Sequence, residues 1–207
     1  MNKSPSIFDY TGCVLAGGKS VRMGTDKALL EYDGKTLLSI AVEHFSGCLE
    51  ILVSTSDAEQ YILNGVHVVP DEKPGMGPLG GFISALRASR SAFVCFRPVD
   101  APLVPGELHS MLANACLGRD AAVPVFKGTV EPLLACLSKT AMPVLEGSAS
   151  GGFYKAGNIF SLLDTIYVPL DTPEMLDRFG DPASYLINAN DPDTFSKLRS
   201  AETGAPR

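Results

Sequence analysis

Short runs of consecutive apolar residues alternate along the chain with segments in which apolar residues recur every three or four positions. The second pattern is clearest in residues 79–89, which place four large apolar side chains on one face of a helix. Continuous apolar runs are typical of strands buried on both faces, so the alternation predicts an α/β domain with helices on both sides of a sheet. The predicted strands are residues 11–16, 51–54, 66–69, 92–96, 121–126, 133–137 and 165–168; the predicted helices are residues 36–45, 79–89, 107–117, a short stretch ending at Leu145, and a last helix opening at Asp191.

The composition indicates one folded unit. The chain has 207 residues, of which 45% are apolar and 19% are charged. This length fits one large domain, and so apolar a composition excludes a disordered chain. There is no internal repeat and no linker long enough to divide the chain. Residues 1–207 are therefore expected to form a single domain with an ordered core at about 8–200 and a frayed tail at 201–207.

The charge and the cysteine content limit the binding partners and the cellular location that can be expected for this protein. Acidic residues outnumber basic ones by 23 to 17, for a net charge of −6, which disfavours nucleic acid as a partner. The 5 cysteines are widely spaced and form no C-x-x-C, so neither a disulfide framework nor a zinc ribbon is indicated. The N-terminus has no apolar signal region, and no run approaches about 18 apolar residues. We therefore expect a cytoplasmic protein with no membrane contact.

Glycines and basic residues are combined in the loop after the first predicted strand, where residues 17–27 read GGKSVRMGTDK. Adjacent glycines at the carboxyl end of a strand let backbone N–H groups approach an anion closely, and open α/β sheets bind ligands at that end. Lys19, Arg22 and Lys27 outnumber the single acid Asp26, so the loop predicts a polyphosphate site. The alternative is a solvated glycine turn with unrelated surface bases. A Walker A loop is excluded because its consensus does not occur in the chain.

An aspartate between two prolines follows the predicted strand at 92–96, in the segment PVDAP at 98–102. At the carboxyl end of a strand, the Asp100 carboxylate is well placed to bind a Mg²⁺ ion shared with a nucleotide. A turn or helix-capping role is the alternative. Arg97, just before this segment, is expected either to reach the phosphates or to be a surface base.

Residues 71–81, DEKPGMGPLGG, contain a G-x-G-x-x-G match to the dinucleotide fingerprint. That fingerprint lies directly between a strand and a helix, whereas here DEKP intervenes and Pro78 lies inside the match. We therefore expect the match to be false, although an NAD-dependent oxidoreductase remains an alternative that uses it.

Asn188 and Asn190 lie two positions apart on a segment expected to be extended. At that period their side chains point the same way, which gives paired amides for a phosphate of a substrate or nucleotide. The alternative is a helix-entry turn, which accounts for Asn190 better than for Asn188.

Several of these segments together resemble one enzyme family. Residues 15–30, LAGGKSVRMGTDKALL, resemble the signature loop of the molybdenum cofactor guanylyltransferases, the MobA-like nucleotidyltransferases. PVDAP, Asp71 with GPLGG at 77–81, and NANDP at 188–192 resemble further motifs of that family. The resemblance implies a three-layer α/β/α Rossmann-like nucleotidyltransferase fold with a mostly parallel, mixed central sheet.

The activity implied by the resemblance is transfer of GMP from GTP to molybdopterin, with Mg²⁺ as cofactor and release of pyrophosphate. Transient contact with molybdoenzymes or their chaperones is a further expectation. The glycine pair after Ala16 is typical of the guanylyltransferases, whereas their CTP-using relatives tend to read Ala-Ala-Gly. Alternatives are a CTP-using molybdenum cofactor cytidylyltransferase, a sugar-phosphate nucleotidyltransferase and a non-catalytic nucleotide-binding module.

The resemblance also carries over three sets of residues. The implied catalytic residues are Arg22, Lys27 and Asp100, and Asp100 is also the implied metal ligand. The implied nucleotide-binding residues are Leu15, Ala16, Gly17, Gly18, Lys19, Lys27, Ser54, Asp71 and Asp100. The implied acceptor-binding residues are Gly80, Asn188 and Asn190.

Four features depart from the family pattern, one of which is a stretch at 168–181 that is longer than usual. Ser54 stands where relatives often carry asparagine, and Glu131 precedes Pro132 where Gln-Pro or His-Pro is commoner. Residues 148–159, SASGGFYKAGNI, replace a basic, Arg-rich helix and retain only Lys155. Loss of that basic surface would weaken the grip on an anionic pterin phosphate.

Overall fold

An eight-stranded sheet forms the centre of the computed structural model, which describes residues 9–17, 26–56, 65–71 and 75–189. Its strand order is β10-β7-β9-β6-β1-β4-β5, with β8 paired to β7, and β2 and β3 form a separate hairpin. Within the sheet only the pairs that involve β8 or β9 are antiparallel. The strands are β1 Thr11–Leu15, β2 Glu31–Tyr32, β3 Lys35–Thr36, β4 Glu50–Thr55, β5 Val66–Pro70, β6 Phe93–Pro98, β7 Ala121–Phe126, β8 Thr129–Val130, β9 Cys136–Ser138 and β10 Thr165–Pro169.

Helices cover both faces of this sheet. The helices are α1 Leu37–Glu43, α2 Pro78–Ala88, α3 Glu107–Ala115, α4 Met142–Ser150, α5 Ala156–Ile159, α6 Pro173–Phe179 and α7 Pro182–Tyr185. Helices α1 and α3 pack in one hydrophobic cluster, and α2, α4 and α5 pack in another. Neighbouring residues of β1 point to opposite clusters: Cys13 packs against the α2 side and Val14 against the α1 side. The three-layer arrangement predicted from the apolar strands is therefore confirmed. In the described residues no helix is long and apolar enough to cross a membrane.

Most of the cysteines lie in the core. All five are unpaired, and those buried in the core are Cys13, Cys95, Cys116 and Cys136. Burial raises the pKa of the Cys13 thiol. Such thiols pack as small apolar groups.

Two predicted elements were wrong in detail. The strand expected at 133–137 is a 3₁₀ turn, Pro132–Leu134, followed by the short antiparallel strand β9. Pro132 opens that turn because its fixed φ suits a first helical position. The stretch expected to end at Leu145 is helix α4, which continues to Ser150; Leu145 is a fully buried residue within it.

The β2–β3 hairpin was missed, although its turn carries a recognisable signal. Asp33 and Gly34 have φ values of 49° and 72°, the left-handed conformations that an Asp-Gly hairpin turn requires. The two flanking strands have only two residues each, too few to show an alternating pattern. The helix expected from Asp191 and the tail at 201–207 lie outside the described residues.

The central strands bring their following residues to one edge of the sheet. Leu15 at the end of β1 is in register with Ser54 of β4 and with Pro98 of β6, and Thr55 is in register with Pro70 of β5. Because β1, β4, β5 and β6 are parallel, their carboxyl ends coincide. In open α/β sheets this edge is where ligands bind.

Candidate active site

The Lys27 side chain meets the Asp100 side chain at this edge. The distance from Lys27 Nζ to Asp100 Oδ2 is 2.9 Å, and the side chains are 21% and 16% exposed. Lys27 opens a 3₁₀ turn, Lys27–Leu29, whose N-cap is Asp26: the Asp26 carboxylate accepts a hydrogen bond from the Ala28 amide at 2.9 Å. Asp100 comes two residues after β6. This ion pair thus joins the end of the glycine-rich loop to the PVDAP segment.

The backbone around Asp100 is held from two further directions. The Val99 amide donates to the Leu15 carbonyl at 3.1 Å, which ties the segment to the end of β1. The Ala189 amide donates to the Asp100 carbonyl at 2.8 Å, which ties it to the residues after α7. Half-buried Asn188 is therefore next to a residue that contacts the Asp100 backbone. Its predicted role in acceptor binding stays a prediction.

Ser54 and Asp71 form a second contact, between the ends of β4 and β5. The Ser54 hydroxyl donates to Asp71 Oδ1 at 2.8 Å, and the Asp71 amide donates to the Thr55 carbonyl at 3.0 Å. The Ala16 amide donates to the Ser54 carbonyl at 2.9 Å. A Cβ atom on Gly17 would lie 3.3 Å from Asp71 Oδ2. Residues 15–17, Ser54 and Asp71, all predicted nucleotide ligands, are therefore neighbours.

The start of helix α2 packs closely against this second contact. A Cβ atom on Gly81 would come within 2.7 Å of the Ser54 hydroxyl oxygen and 2.9 Å of a Leu15 methyl group. Gly81 thus lets α2 approach the ends of β1 and β4. Gly81 belongs to the GPLGG motif at 77–81, but the motif alone does not indicate this packing role.

Gly80 lines a cavity of about 240 Å³ between α2 and α4. An ion pair, Arg87 Nη2 to Glu146 Oε1 at 2.6 Å, forms part of the cavity wall, together with the apolar side chains of Met76 and Ile83. The predicted acceptor role of Gly80 stays a prediction.

Both expectations for Arg97 were wrong. It is neither a surface base nor a phosphate ligand, because its side chain is 0% exposed. Its guanidinium donates to the carbonyls of Val104 at 2.9 Å, Ala101 at 2.7 Å and Pro102 at 3.3 Å. The sequence signal for this role is the run of prolines after Arg97, since proline-rich loops have carbonyls that lack local N–H partners.

Two histidines near Arg97 are held neutral. Burial, and secondarily the positive charge of Arg97, lowers the pKa of His44 to about 4 and that of His109 to about 3. The His109 ring packs on Phe45 with a centroid separation of 4.5 Å. Both histidines lie in the α1–α3 layer: His44 follows α1 and His109 is part of α3.

Some predicted site residues lie outside the described residues, namely Gly18, Lys19, Arg22 and Asn190. Their roles stay predictions. The fingerprint-like glycines do not lie directly between a strand and a helix: Gly75 is the fifth residue after β5, and α2 begins at Pro78, inside the match.

The Asp100 carboxylate fits a Mg²⁺ ion that is bound jointly by the protein and a nucleotide. In the described part of the chain no group of three or more His, Cys, Asp or Glu side chains could hold a metal ion by itself. Mg²⁺ in nucleotide enzymes is usually held by one or two carboxylates plus phosphate oxygens and water. A single partly exposed carboxylate at the ligand-binding edge fits that requirement.

Lys27, Asp71 and Asp100 lie at the edge of a mostly parallel sheet where α/β proteins bind ligands, and the fold is that of the Rossmann-like nucleotidyltransferases. A family model for the MobA-like NTP transferase domain matches residues 12–164. The chain belongs to the MobA-like NTP transferase family, as the sequence motifs had indicated.

Several proteins similar to this chain over most of its length have names that refer to the molybdenum cofactor and guanine nucleotides. A probable molybdenum cofactor guanylyltransferase from Carboxydothermus hydrogenoformans is 30% identical over 190 residues, which cover 92% of this chain and 95% of that protein. A molybdenum cofactor guanylyltransferase from Photobacterium profundum is 31% identical, over 85% of this chain and 98% of that protein. The crystal structure of molybdopterin-guanine dinucleotide biosynthesis protein A from Archaeoglobus fulgidus superposes with a TM-score of 0.78 at 25% identity, covering 94% and 100% of the two chains.

Proposed function

We propose that the protein transfers GMP from GTP to molybdopterin and releases pyrophosphate. The observation that carries the proposal is the Lys27–Asp100 contact, because it joins the glycine-rich loop to an acidic group at the ligand-binding edge of the sheet. The family assignment and the names of the similar proteins support the choice of GTP and molybdopterin.

In the proposed reaction a terminal phosphate oxygen of molybdopterin attacks the α-phosphorus of GTP. The bond from that phosphorus to the bridging oxygen breaks, and the electron pair leaves with pyrophosphate. A phosphate monoester is already a competent nucleophile at neutral pH, so no strong base is needed. Catalysis then consists mostly of alignment and neutralisation of charge.

Lys27 is the described residue best suited to neutralise charge on the triphosphate. Its ammonium group has three N–H donors, so it can keep the Asp100 contact and also donate to a phosphate oxygen. Arg22, outside the described residues, is proposed to act with it on the same phosphates.

Asp100 is proposed to hold Mg²⁺, which when bound supplies positive charge to the phosphate oxygens. The backbone hydrogen bonds at Val99 and at the Asp100 carbonyl fix the position of the backbone from which this side chain extends. Residues 15–17, together with Asp71, are proposed to hold the nucleoside, and the Ser54 hydroxyl orients Asp71 for that contact.

The residues proposed to bind the acceptor are those that the family resemblance implies, namely Gly80, Asn188 and Asn190. Asn188 lies close in sequence to the backbone contact at Asp100, which would place an acceptor phosphate near the metal ligand. Small-molecule substrates, a cytoplasmic location, one domain for the whole chain, and transient contact with molybdoenzymes or their chaperones stay predictions.

A nucleotide panel tests the proposal. Pyrophosphate release would be measured for GTP, CTP and ATP with Mg²⁺, each with and without molybdopterin, alongside thermal unfolding with the same nucleotides and NAD. The proposal expects molybdopterin-dependent release from GTP far above that from CTP or ATP. Release mainly from CTP would favour a cytidylyltransferase, and stabilisation by NAD but by no triphosphate would overturn nucleotide transfer.

A further inference from the structure

The loop between β6 and α3 contains the metal-binding candidate Asp100 and is rich in proline. Pro102 and Pro105 in the loop, like Pro98 at the end of β6, have no N–H group, and their rings keep the loop from forming a regular ladder of hydrogen bonds. Ala101 and Val104 are nevertheless buried, with 1% and 0% exposure. Buried carbonyl groups need hydrogen-bond donors, so this loop needs donors from elsewhere in the fold.

Arg97 supplies those donors from inside the protein. Its two terminal nitrogens reach three loop carbonyls: Nη1 donates to Val104, and Nη2 donates to Ala101 and Pro102. Within the part of the chain that the structure describes, no carboxylate lies at ion-pair distance from Arg97, and its Nε has no hydrogen-bond partner. Among the described residues, the contacts that stabilise this buried charge are those with the loop carbonyls.

Stability alone is a poor reason for a buried, unpaired arginine at this position. Removing a charge from water is costly, and apolar replacements of buried charged groups are often neutral or stabilising. The planar fork of a guanidinium, however, can bind several carbonyls in one fixed geometry, which a lysine or an apolar side chain cannot do.

The segment around Asp100 is thus held at successive residues. Val99 is bonded to the end of β1 and the Asp100 carbonyl to Ala189, while Arg97 fixes residues 101–104 just downstream. The Asp100 side chain itself contacts Lys27. The Asp100 carboxylate is left as the partly exposed end of a rigidly held turn.

We propose that Arg97 is a positioning residue, which fixes the loop at 101–104 and thereby the direction in which the Asp100 carboxylate meets its metal. This inference rests on the proposed function for its activity readout. Replacing a residue that holds a metal ligand in position typically lowers metal affinity or activity about 10- to 100-fold.

The first test compares Arg97→Lys with Leu145→Ala. Lysine keeps the positive charge and loses the fork, whereas Leu145 is fully buried in α4 on the opposite face of the sheet and provides a general loss of packing. For Arg97→Lys we expect the Mg²⁺ concentration for half-maximal activity to rise, and kcat to fall, by about 10-fold or more. The KM for GTP at saturating Mg²⁺ should change little, and Leu145→Ala should leave the metal dependence unchanged.

The second readout does not depend on turnover. Mn²⁺ binding would be titrated by electron paramagnetic resonance with a GTP analogue that has a methylene bridge between its α and β phosphorus atoms. Weaker Mn²⁺ binding in Arg97→Lys, but not in Leu145→Ala, supports the proposal. Equal Mn²⁺ binding in wild type and Arg97→Lys overturns it.

The two readouts separate this inference from the proposed function. Wild-type protein that binds Mn²⁺ with the analogue but releases no pyrophosphate would contradict the function, and the Mn²⁺ titration of the variants would still decide the role of Arg97. If Arg97→Lys does not fold, Arg97→Gln, which keeps an amide donor without the charge, takes its place. Failure of both variants to fold would assign Arg97 to folding and reject the positioning role.

Discussion

Lys27 and Asp100 are 73 positions apart in sequence and 2.9 Å apart in the structure. The contact closes the ligand-binding edge of the sheet between the loop after β1 and the turn after β6. A partly exposed ion pair of this kind contributes on the order of 1 kcal/mol or less to stability. The main role of this ion pair is therefore to hold the Lys27 cation and the Asp100 anion at the edge where a nucleotide binds.

Replacing Asp100 by asparagine should abolish most activity and leave the fold intact. The change keeps the shape of the side chain and removes the carboxylate that we propose to bind Mg²⁺. We expect a loss of about 10²- to 10³-fold in kcat, as for removal of one transition-state-stabilising group. Pyrophosphate release and thermal unfolding would be measured. Asp164→Asn is the matched control, since Asp164 forms a surface ion pair with Arg119 at 2.7 Å. Near-normal turnover by Asp100→Asn would remove Asp100 from the metal role.

Replacing Lys27 by alanine should weaken transfer by about 1.5–3 kcal/mol, the range for a hydrogen bond that involves a charged group. This corresponds to a fall in kcat/KM for GTP of about 10- to 150-fold. Lys35→Ala provides the comparison, because Lys35 forms an exposed ion pair with Glu43 at 2.7 Å. An unchanged kcat/KM in Lys27→Ala would contradict the assignment of this lysine to the triphosphate.

Adding a methyl group at Gly81 should destabilise the protein and weaken nucleotide binding together. The new Cβ would overlap the Ser54 hydroxyl at 2.7 Å and push on Leu15. Overpacking of this kind costs about 1–3 kcal/mol in the free energy of unfolding. Gly147→Ala is the control, because nothing lies within 4 Å of a Cβ at that helical position. There alanine should stabilise by about 0.5–1 kcal/mol. Equal urea midpoints for the two variants would be inconsistent with close packing at Gly81.

Stability should fall as the pH is lowered below about 6.5. The pKa of His44 is lowered to about 4 and that of His109 to about 3, first by burial and then by the Arg97 charge. Between these values and the ordinary pKa near 6.5, the unfolded chain binds more protons than the folded one. The free energy of unfolding therefore decreases with falling pH, by at most about 1.4 kcal/mol per pH unit for each histidine.

Urea unfolding of His109→Phe from pH 7.5 to 5.5 checks this pH dependence. Phenylalanine keeps a ring against Phe45 and removes the titrating group, so the slope of stability against pH should become shallower. The same slope in wild type and variant would show that His109 is not held neutral by the fold.

The sequence alone predicts the features that follow from a local pattern of apolar residues or from the order of parallel strands. The apolar runs at β1 and β7 read directly as buried strands, and the parallel topology was enough to bring Lys27 and Asp100 to one edge. The prolines after Arg97 indicate a loop that lacks local N–H donors, but they do not show which residue supplies the donors, because the carbonyls become buried only when α3 packs. The antiparallel pairing of β9 depends on its partners β6 and β7, which no feature of three residues can specify.

Isotopic labelling tests nucleotide transfer most directly. Wild-type protein would be incubated with molybdopterin, Mg²⁺ and GTP labelled either at the α-phosphorus or at the γ-phosphorus. We expect the α-label to appear in a guanine dinucleotide of the pterin and the γ-label in pyrophosphate, in equal amounts. Label that remains in GTP, or an α-label recovered as free GMP without any dinucleotide, would contradict it.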